Sequence, residues 1–290
     1  MPNPRPLLGA YFALAVCIVF SNAAWTQAPS GIASINLCVD QMLLRFAERG
    51  QISSLTYFAD NPLMSPYADQ AKGLHLNHGL VEELIPLAPR LILVGDYGAR
   101  EAAELLTSLG FQIVRVPLPQ NLAGIETHLT LMGELLGEPP ALTAYAEQWQ
   151  RRQAQLRQDN LAVTALKKPT VLMLGPNYIA PGIGTLEDEL LNLAGFQNWA
   201  ASQQLEGFAT VNLEKLVQQP PDLLIVNHVA ANQFSLAHEV LRHPALARAL
   251  EGGRLASLPS NLSVCPAPNI DALISALVSL RESMSAKENS

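Results

Sequence analysis

Charge is scarce in this sequence. Only 15% of its 290 residues are Asp, Glu, Lys or Arg, acidic residues outnumber basic ones, and no basic cluster occurs. A surface of that sign repels a phosphate backbone, so nucleic acid is excluded as a partner. Long apolar runs are nearly absent as well. The one near the start, Leu7 to Phe20, has 14 residues, too few to cross a bilayer. With no second run of about 18 or more, the mature chain is expected to lack a membrane span. Catalytic signatures are missing too: there is no Gly-x-Ser-x-Gly elbow, no Walker loop and no Gly-x-Gly-x-x-Gly after the first strand. His238 and His243 in "HEVLRH" are five positions apart, about 140° around a helix. They cannot share one zinc ion as an i, i+4 pair does.

Cysteine is equally rare, and its placement is informative. Residues 1–28 carry Arg5 as their only charge, then the apolar run, then the small residues of "SNAAWTQA". That order is a secretory signal peptide, with cleavage after Ala24 or Ala28. "LAVC" resembles a lipobox around Cys17, but Val16 is bulky for that place and the apolar run continues past it. Cleavage leaves 17 basic against 25 acidic residues and two cysteines, Cys38 and Cys265. In an exported protein an isolated pair of thiols usually becomes a disulfide. Closing a loop of roughly 230 residues would contribute about 5 kcal/mol, less any strain. Two separate buried thiols and two soft metal ligands stay open as alternatives.

What the chain does have is a repeated phrase. "VEELIPLAPRLILVG" (Val81–Gly95) recurs 132 positions later as "LEKLVQQPPDLLIVN" (Leu213–Asn227), with Glu82 on Glu214, Leu84 on Leu216 and Pro89 on Pro221. Each copy reads as a short helix followed by a strand that is apolar throughout, as in a parallel sheet covered on both faces. Around the first copy, strands at "IASIN", "ISSLTYF" and "FQIVRVP" alternate with helices at "DQMLLRFAERG" and "REAAELLTSLG". Asp40 is placed to cap the first helix and Gly50 to end it. Around the second copy stand "TVLML", the Thr185-capped "TLEDELLNLAG", "HPALARAL", "GRLASLP" and "NIDALISALVSL". Between the halves, Ala141 to about Leu166 has no Gly or Pro and puts Leu142, Tyr145, Trp149 and Leu156 at helical spacing. The division is a signal peptide (1–28), an α/β lobe (29–138), an interlobe helix (139–168) and a second α/β lobe (169–290).

Ligands of open α/β sheets bind beyond the carboxyl ends of the strands. Asn36, Cys38, Tyr57, Phe58, His78, Tyr97, Tyr178 and His228 all fall at or near such ends. Together they imply a cleft between the lobes lined with Tyr, His and Cys. "PGIGT" (Pro181–Thr185) reads as a tight loop feeding a helix cap, with an anion on its amides as the alternative.

Signal peptide, two α/β lobes and one linking helix resemble the periplasmic binding proteins of ABC importers for vitamin B12 and iron-siderophores. The likeness covers essentially all of the mature chain. It is carried by the repeated pair, "GTLEDELLNLAGFQN", "HPALARALEGGRLASLP" and "INLCVDQMLL". The resemblance implies two Rossmann-like lobes with parallel sheets, joined by one long rigid helix, that close little on their ligand. It implies a periplasmic monomer without catalytic activity or a cofactor of its own, binding a metal-containing chelate. Glu82 and Glu214, one per lobe, would dock on the permease of a permease–ATPase complex. A Cys38–Cys265 disulfide would tie the lobes at the cleft, where Cys265 joins the lining set. A corrinoid would suit the aromatic, arginine-poor cleft, an anionic siderophore would need Arg100, and a heme could use Tyr97 or His78. Two further readings are a metal-ion binder built on His78, Cys38, Cys265 and His228, and a secreted enzyme with Cys38 as nucleophile and His78 as base.

Overall fold

The computed structural model describes residues 30–162, 168–228 and 255–288. The expected signal peptide, the expected helix at "HPALARAL", His238 and His243 lie outside the described residues.

The first lobe runs β1 (Ile32–Ser34), α1 (Leu37–Phe46), β2 (Ile52–Thr56), α2 (Ala68–Ala71), β3 (Leu76–Asn77), α3 (Val81–Leu84), β4 (Leu91–Val94), α4 (Arg100–Ser108) and β5 (Ile113–Arg115). Its five strands form one parallel sheet in the order β3-β2-β1-β4-β5. Two helices follow, α5 (Leu122–Leu136) and α6 (Pro140–Ala162).

The second lobe runs β6 (Thr170–Leu174), β7 (Ile179–Pro181), α7 (Leu186–Leu193), β8 (Gln197–Asn198), α8 (Trp199–Ser202), β9 (Phe208–Thr210), α9 (Leu213–Gln218), β10 (Leu223–His228), β11 (Leu255–Pro259), α10 (Ser260–Ser263) and α11 (Pro266–Glu288). A four-stranded parallel sheet has the order β11-β10-β6-β8, and β7 and β9 pair as an antiparallel ribbon. The repeated phrase is thus α3–β4 and α9–β10, each feeding the strand beside its lobe's first strand. All four residues of β4 are buried, as its unbroken apolar run requires.

Some local expectations need correction. Asn36, not Asp40, caps α1: its backbone is extended, and its Oδ1 accepts from Cys38 N at 3.0 Å and Val39 N at 3.2 Å. A Cβ at residue 95 would fall 2.2 Å from the Asn36 Nδ2, so glycine is required there. Helix α1 stops at Phe46 rather than Gly50, because Ala47 turns extended. Helix α5 was not anticipated, although Asn121 caps it and Gly137, at φ +79°, ends it in the left-handed region. The strut, α6, has 23 residues and spans about 34 Å. Residues 163–167, which the expected interlobe helix (139–168) included, lie outside the described residues.

The lobes are joined by more than the strut. One buried cluster runs from Ile32 and Leu43 in the first lobe through Trp149 of α6 to Leu190 and Ile274 in the second. The last helix, α11, returns to pack on α1. There Cys38 and Cys265 form a disulfide with Cα atoms 5.0 Å apart. Gln41 accepts from Asn269 Nδ2 at 2.7 Å, and Arg45 pairs with both oxygens of Asp271 at 3.0 and 3.1 Å. Positions 38, 41 and 45 lie on one face of α1.

Asp40 points the other way, wholly buried, and accepts from the Thr56 amide at 3.1 Å and from the Thr56 hydroxyl. Among the described residues its Oδ1 meets no donor within hydrogen-bonding distance. Burial pushes its pKa up to about 7, against the lowering effect of its hydrogen bonds. A carboxyl that keeps its proton in the fold but loses it near pH 4 when unfolded makes stability fall as pH rises from about 4 to 7. Across that window the loss should approach about 3–4 kcal/mol at most. We expect urea denaturation between pH 4 and 7 to show this slope, and Asp40→Asn to flatten it. An equal slope in both proteins would contradict the assignment.

Candidate functional site

The two parallel sheets present the carboxyl ends of their strands, and the loops beyond those ends, to a common cleft. Two adjoining cavities open there, of about 350 and 360 Å³. The first lies in the second lobe, among Leu174, Pro176, Leu190, Phe208, Leu273 and Leu277. The second reaches across to the first lobe, where Tyr97 and Leu118 to Gln120 face Val264 and Pro266. Glu187, Phe208, Ser263 and Pro266 line both. Most of the described lining is apolar, and it carries neither Arg nor Lys.

The sequence-derived candidates distribute unevenly over this geometry. Tyr97 lines the interlobe cavity and is 73% exposed. Tyr57, Phe58 and His78 gather on the first-lobe rim, with ring centroids 3.9 Å apart for Tyr57–Phe58 and 4.9 Å for Tyr57–His78. None of the three lines either cavity. Asn36 spends its side chain on the cap of α1. Tyr178, held at φ +61°, packs against the second lobe's own core instead of lining the cavity, while its neighbours Asn177 and Ile179 do line it. His228 is the last residue of β10, and its side chain lies outside the described residues. Both sulfurs of Cys38 and Cys265 are in the disulfide, so neither is available as a nucleophile or metal ligand. Among the described residues no group of three or more His, Cys, Asp and Glu is placed to hold a metal ion. Arg100 is turned to Glu104 on α4, 3.0 Å away, and lines neither cavity.

Two carboxylates escaped notice in the sequence. Glu83, beside the expected docking residue Glu82, accepts from His78 Nδ1 at 2.9 Å and from the His78 amide at 2.7 Å. Those hydrogen bonds hold its pKa below the ordinary glutamate value. The bond also fixes the imidazole, leaving Nε2 as the nitrogen with the lone pair when the ring is neutral. The second is Glu187, in the first turn of α7. Burial raises its pKa above the ordinary value. Its signal was present: Glu187, Leu190, Leu191 and Ala194 share helical spacing, so an acid sits on a face otherwise buried.

"PGIGT" is a tight loop. A Cβ on Gly182 would lie 2.1 Å from the Leu205 carbonyl oxygen, Gly184 sits at φ +81°, and Thr185 Oγ1 accepts from Asp188 N at 3.2 Å to cap α7. Glu82 and Glu214 are both exposed, each in the first turn of its lobe's repeated helix.

A family model for periplasmic binding proteins matches residues 32–262. The chain belongs to that family. Its members are solute-binding proteins, and among the described residues this periplasmic binding protein has no helix long and apolar enough to cross a membrane. Solved structures agree on the fold. A periplasmic heme binding protein from Pseudomonas aeruginosa is 20% identical with a TM-score of 0.67, over 87% of this chain and 92% of that one. The heme-binding protein RhuT from Roseiflexus sp. RS-1 is 20% identical with a TM-score of 0.68, over 88% and 97%. The vitamin B12 binding protein BtuF of Vibrio cholerae is 17% identical with a TM-score of 0.64, over 87% and 96%. Among curated proteins no sequence match was found.

The placement of the tyrosines separates packing from lining. Tyr178→Ala should cost about 2–3 kcal/mol of stability, by truncating a side chain packed on the core. Tyr97→Ala, at an exposed rim, should stay within about 0.5 kcal/mol. Denaturant midpoints of the two variants check this, and equal losses would contradict the placement.

Proposed function

We propose that this periplasmic binding protein captures a neutral, corrinoid-like metal chelate in the interlobe cleft and delivers it to an ABC permease with its ATPase. The observation that carries the reading is the lining: apolar side chains, Phe208 and Tyr97 as aromatic surfaces, and no described cation. An anionic ferric siderophore would leave its charge unpaired in such a site, at high desolvation cost. A chelate already neutralised at the metal asks only for apolar area and a few hydrogen bonds. The protein acts as a carrier, exported by its N-terminal signal and working as a periplasmic monomer. Glu82 and Glu214, one exposed carboxylate per lobe, meet cationic side chains of the permease.

Heme is the second reading, and one observation favours it. Glu83 on Nδ1 prepares His78 Nε2 as a lone-pair donor for an iron, beside the stacked ring of Tyr57.

Calorimetric titration of residues 29–290 with cyanocobalamin should give one saturable site with a dissociation constant below about 1 μM. Silence with cyanocobalamin, together with saturable hemin binding lost in His78→Ala, would replace the corrinoid by heme. The double variant Glu82→Arg, Glu214→Arg should keep its ligand affinity and lose stimulation of the permease ATPase. Retained stimulation would remove the docking role.

A further inference from the structure

The first turn of α7 carries three consecutive acids, Glu187, Asp188 and Glu189. Two have structural work. Asp188 takes the Asn198 side-chain amide at 2.9 Å and donates its own backbone amide to the Thr185 cap. Glu189 accepts from the Leu122 amide at 2.7 Å, across the lobe boundary. Glu187 has no such occupation: its carboxyl meets no donor from another described residue, only its own backbone N–H. It is the one carboxyl group in the described lining, and it stands where the two cavities meet.

We propose that Glu187 is the specificity-determining residue of the cleft, engaging a carboxamide of the ligand and turning away ligands that would bring a carboxylate to that point. This rests on the reading of the cleft as the ligand site. Leu190, Phe208 and Pro266 around it offer no hydrogen bond from their side chains, which leaves the carboxyl open to a bound ligand. A polar group left unpaired in an apolar cavity costs more than the bond itself returns, which makes it a strong discriminator. An amide N–H donates to the carboxyl oxygen. An isosteric ligand carboxylate has no N–H to give and sets a second acid against the Glu187 carboxyl. Tyr97, at the far wall, is the other titratable side chain in the described lining, and Asp188 and Glu189 flank Glu187 on its own helix.

The test titrates wild-type protein, Glu187→Gln and Glu187→Arg with two probes, cyanocobalamin, whose corrin ring carries peripheral carboxamides, and hemin, which carries two propionates. The proposal expects cyanocobalamin affinity to fall about tenfold or more in Glu187→Arg and only severalfold in Glu187→Gln. It expects hemin affinity to rise about tenfold or more in Glu187→Arg. Probe affinities unchanged within about twofold across all three proteins would overturn the role of Glu187 while leaving the cleft reading intact. Binding of neither probe to any of the three, with thermal melts equal to wild type, would overturn the ligand class and the proposal with it.

Discussion

The arrangement of the cleft depends on how α11 is fastened to α1. Both helices begin at the disulfide, Cys38 in the first turn of one and Cys265 immediately before the other. One turn on, Gln41 meets Asn269, and in the last turn of α1 Arg45 grips Asp271 with two hydrogen bonds. Arg45 also donates to the Pro268 carbonyl and lies over the Tyr145 ring, 4.1 Å from its centroid. The Tyr145 hydroxyl, on the strut, sits 3.2 Å from both the Ala267 carbonyl and Asp271 Oδ1. Strut, first helix and last helix therefore meet in one polar knot. Burial alone would raise the Asp271 pKa, but the Arg45 partner outweighs it and holds the carboxyl below the ordinary aspartate value.

That knot has consequences at the ligand end. Cys265 fixes the start of α11, and Pro266, Leu273 and Leu277 from this helix form one wall of the second-lobe cavity. Asn261 of α10 adds a hydrogen bond to the Pro62 carbonyl of the first lobe at 2.9 Å. A cleft whose walls are bolted to both lobes is formed before a ligand arrives, which avoids the ordering cost that a mobile site incurs on binding. The same attachment sets the lobe-to-lobe spacing of Glu82 and Glu214, the two carboxylates proposed to dock on a permease.

The parallel strands and the repeat were readable because unbroken apolar runs such as "LILV" and "TVLML" suit strands covered on both faces. Thr185 was readable as a cap because a hydroxyl before an apolar-periodic run has a specific backbone donor to take. What was missed shares one physical cause: position alone does not reveal which way a side chain points. Asn36 and Tyr178 stand at strand ends yet serve the cap and the core. Asp40 looked like a cap because acids favour helix starts, while the backbone had already found its acceptor four residues earlier. The pairing of Cys38 with Cys265 was expected from the sequence, but Asn269 and Asp271, the partners of Gln41 and Arg45, lie more than 220 residues away and only the fold supplies them.

The most direct test of a cleft held by the α1–α11 attachment is an interlobe distance measured by pulsed electron resonance between spin labels at Glu82→Cys and Glu214→Cys. With the Cys38–Cys265 bond intact, the account predicts one narrow distance distribution that shifts by about 1 Å or less when ligand is added. A broad or two-peaked distribution in the unliganded protein, collapsing on ligand, would mean that the lobes move freely and that the attachment does not set the site.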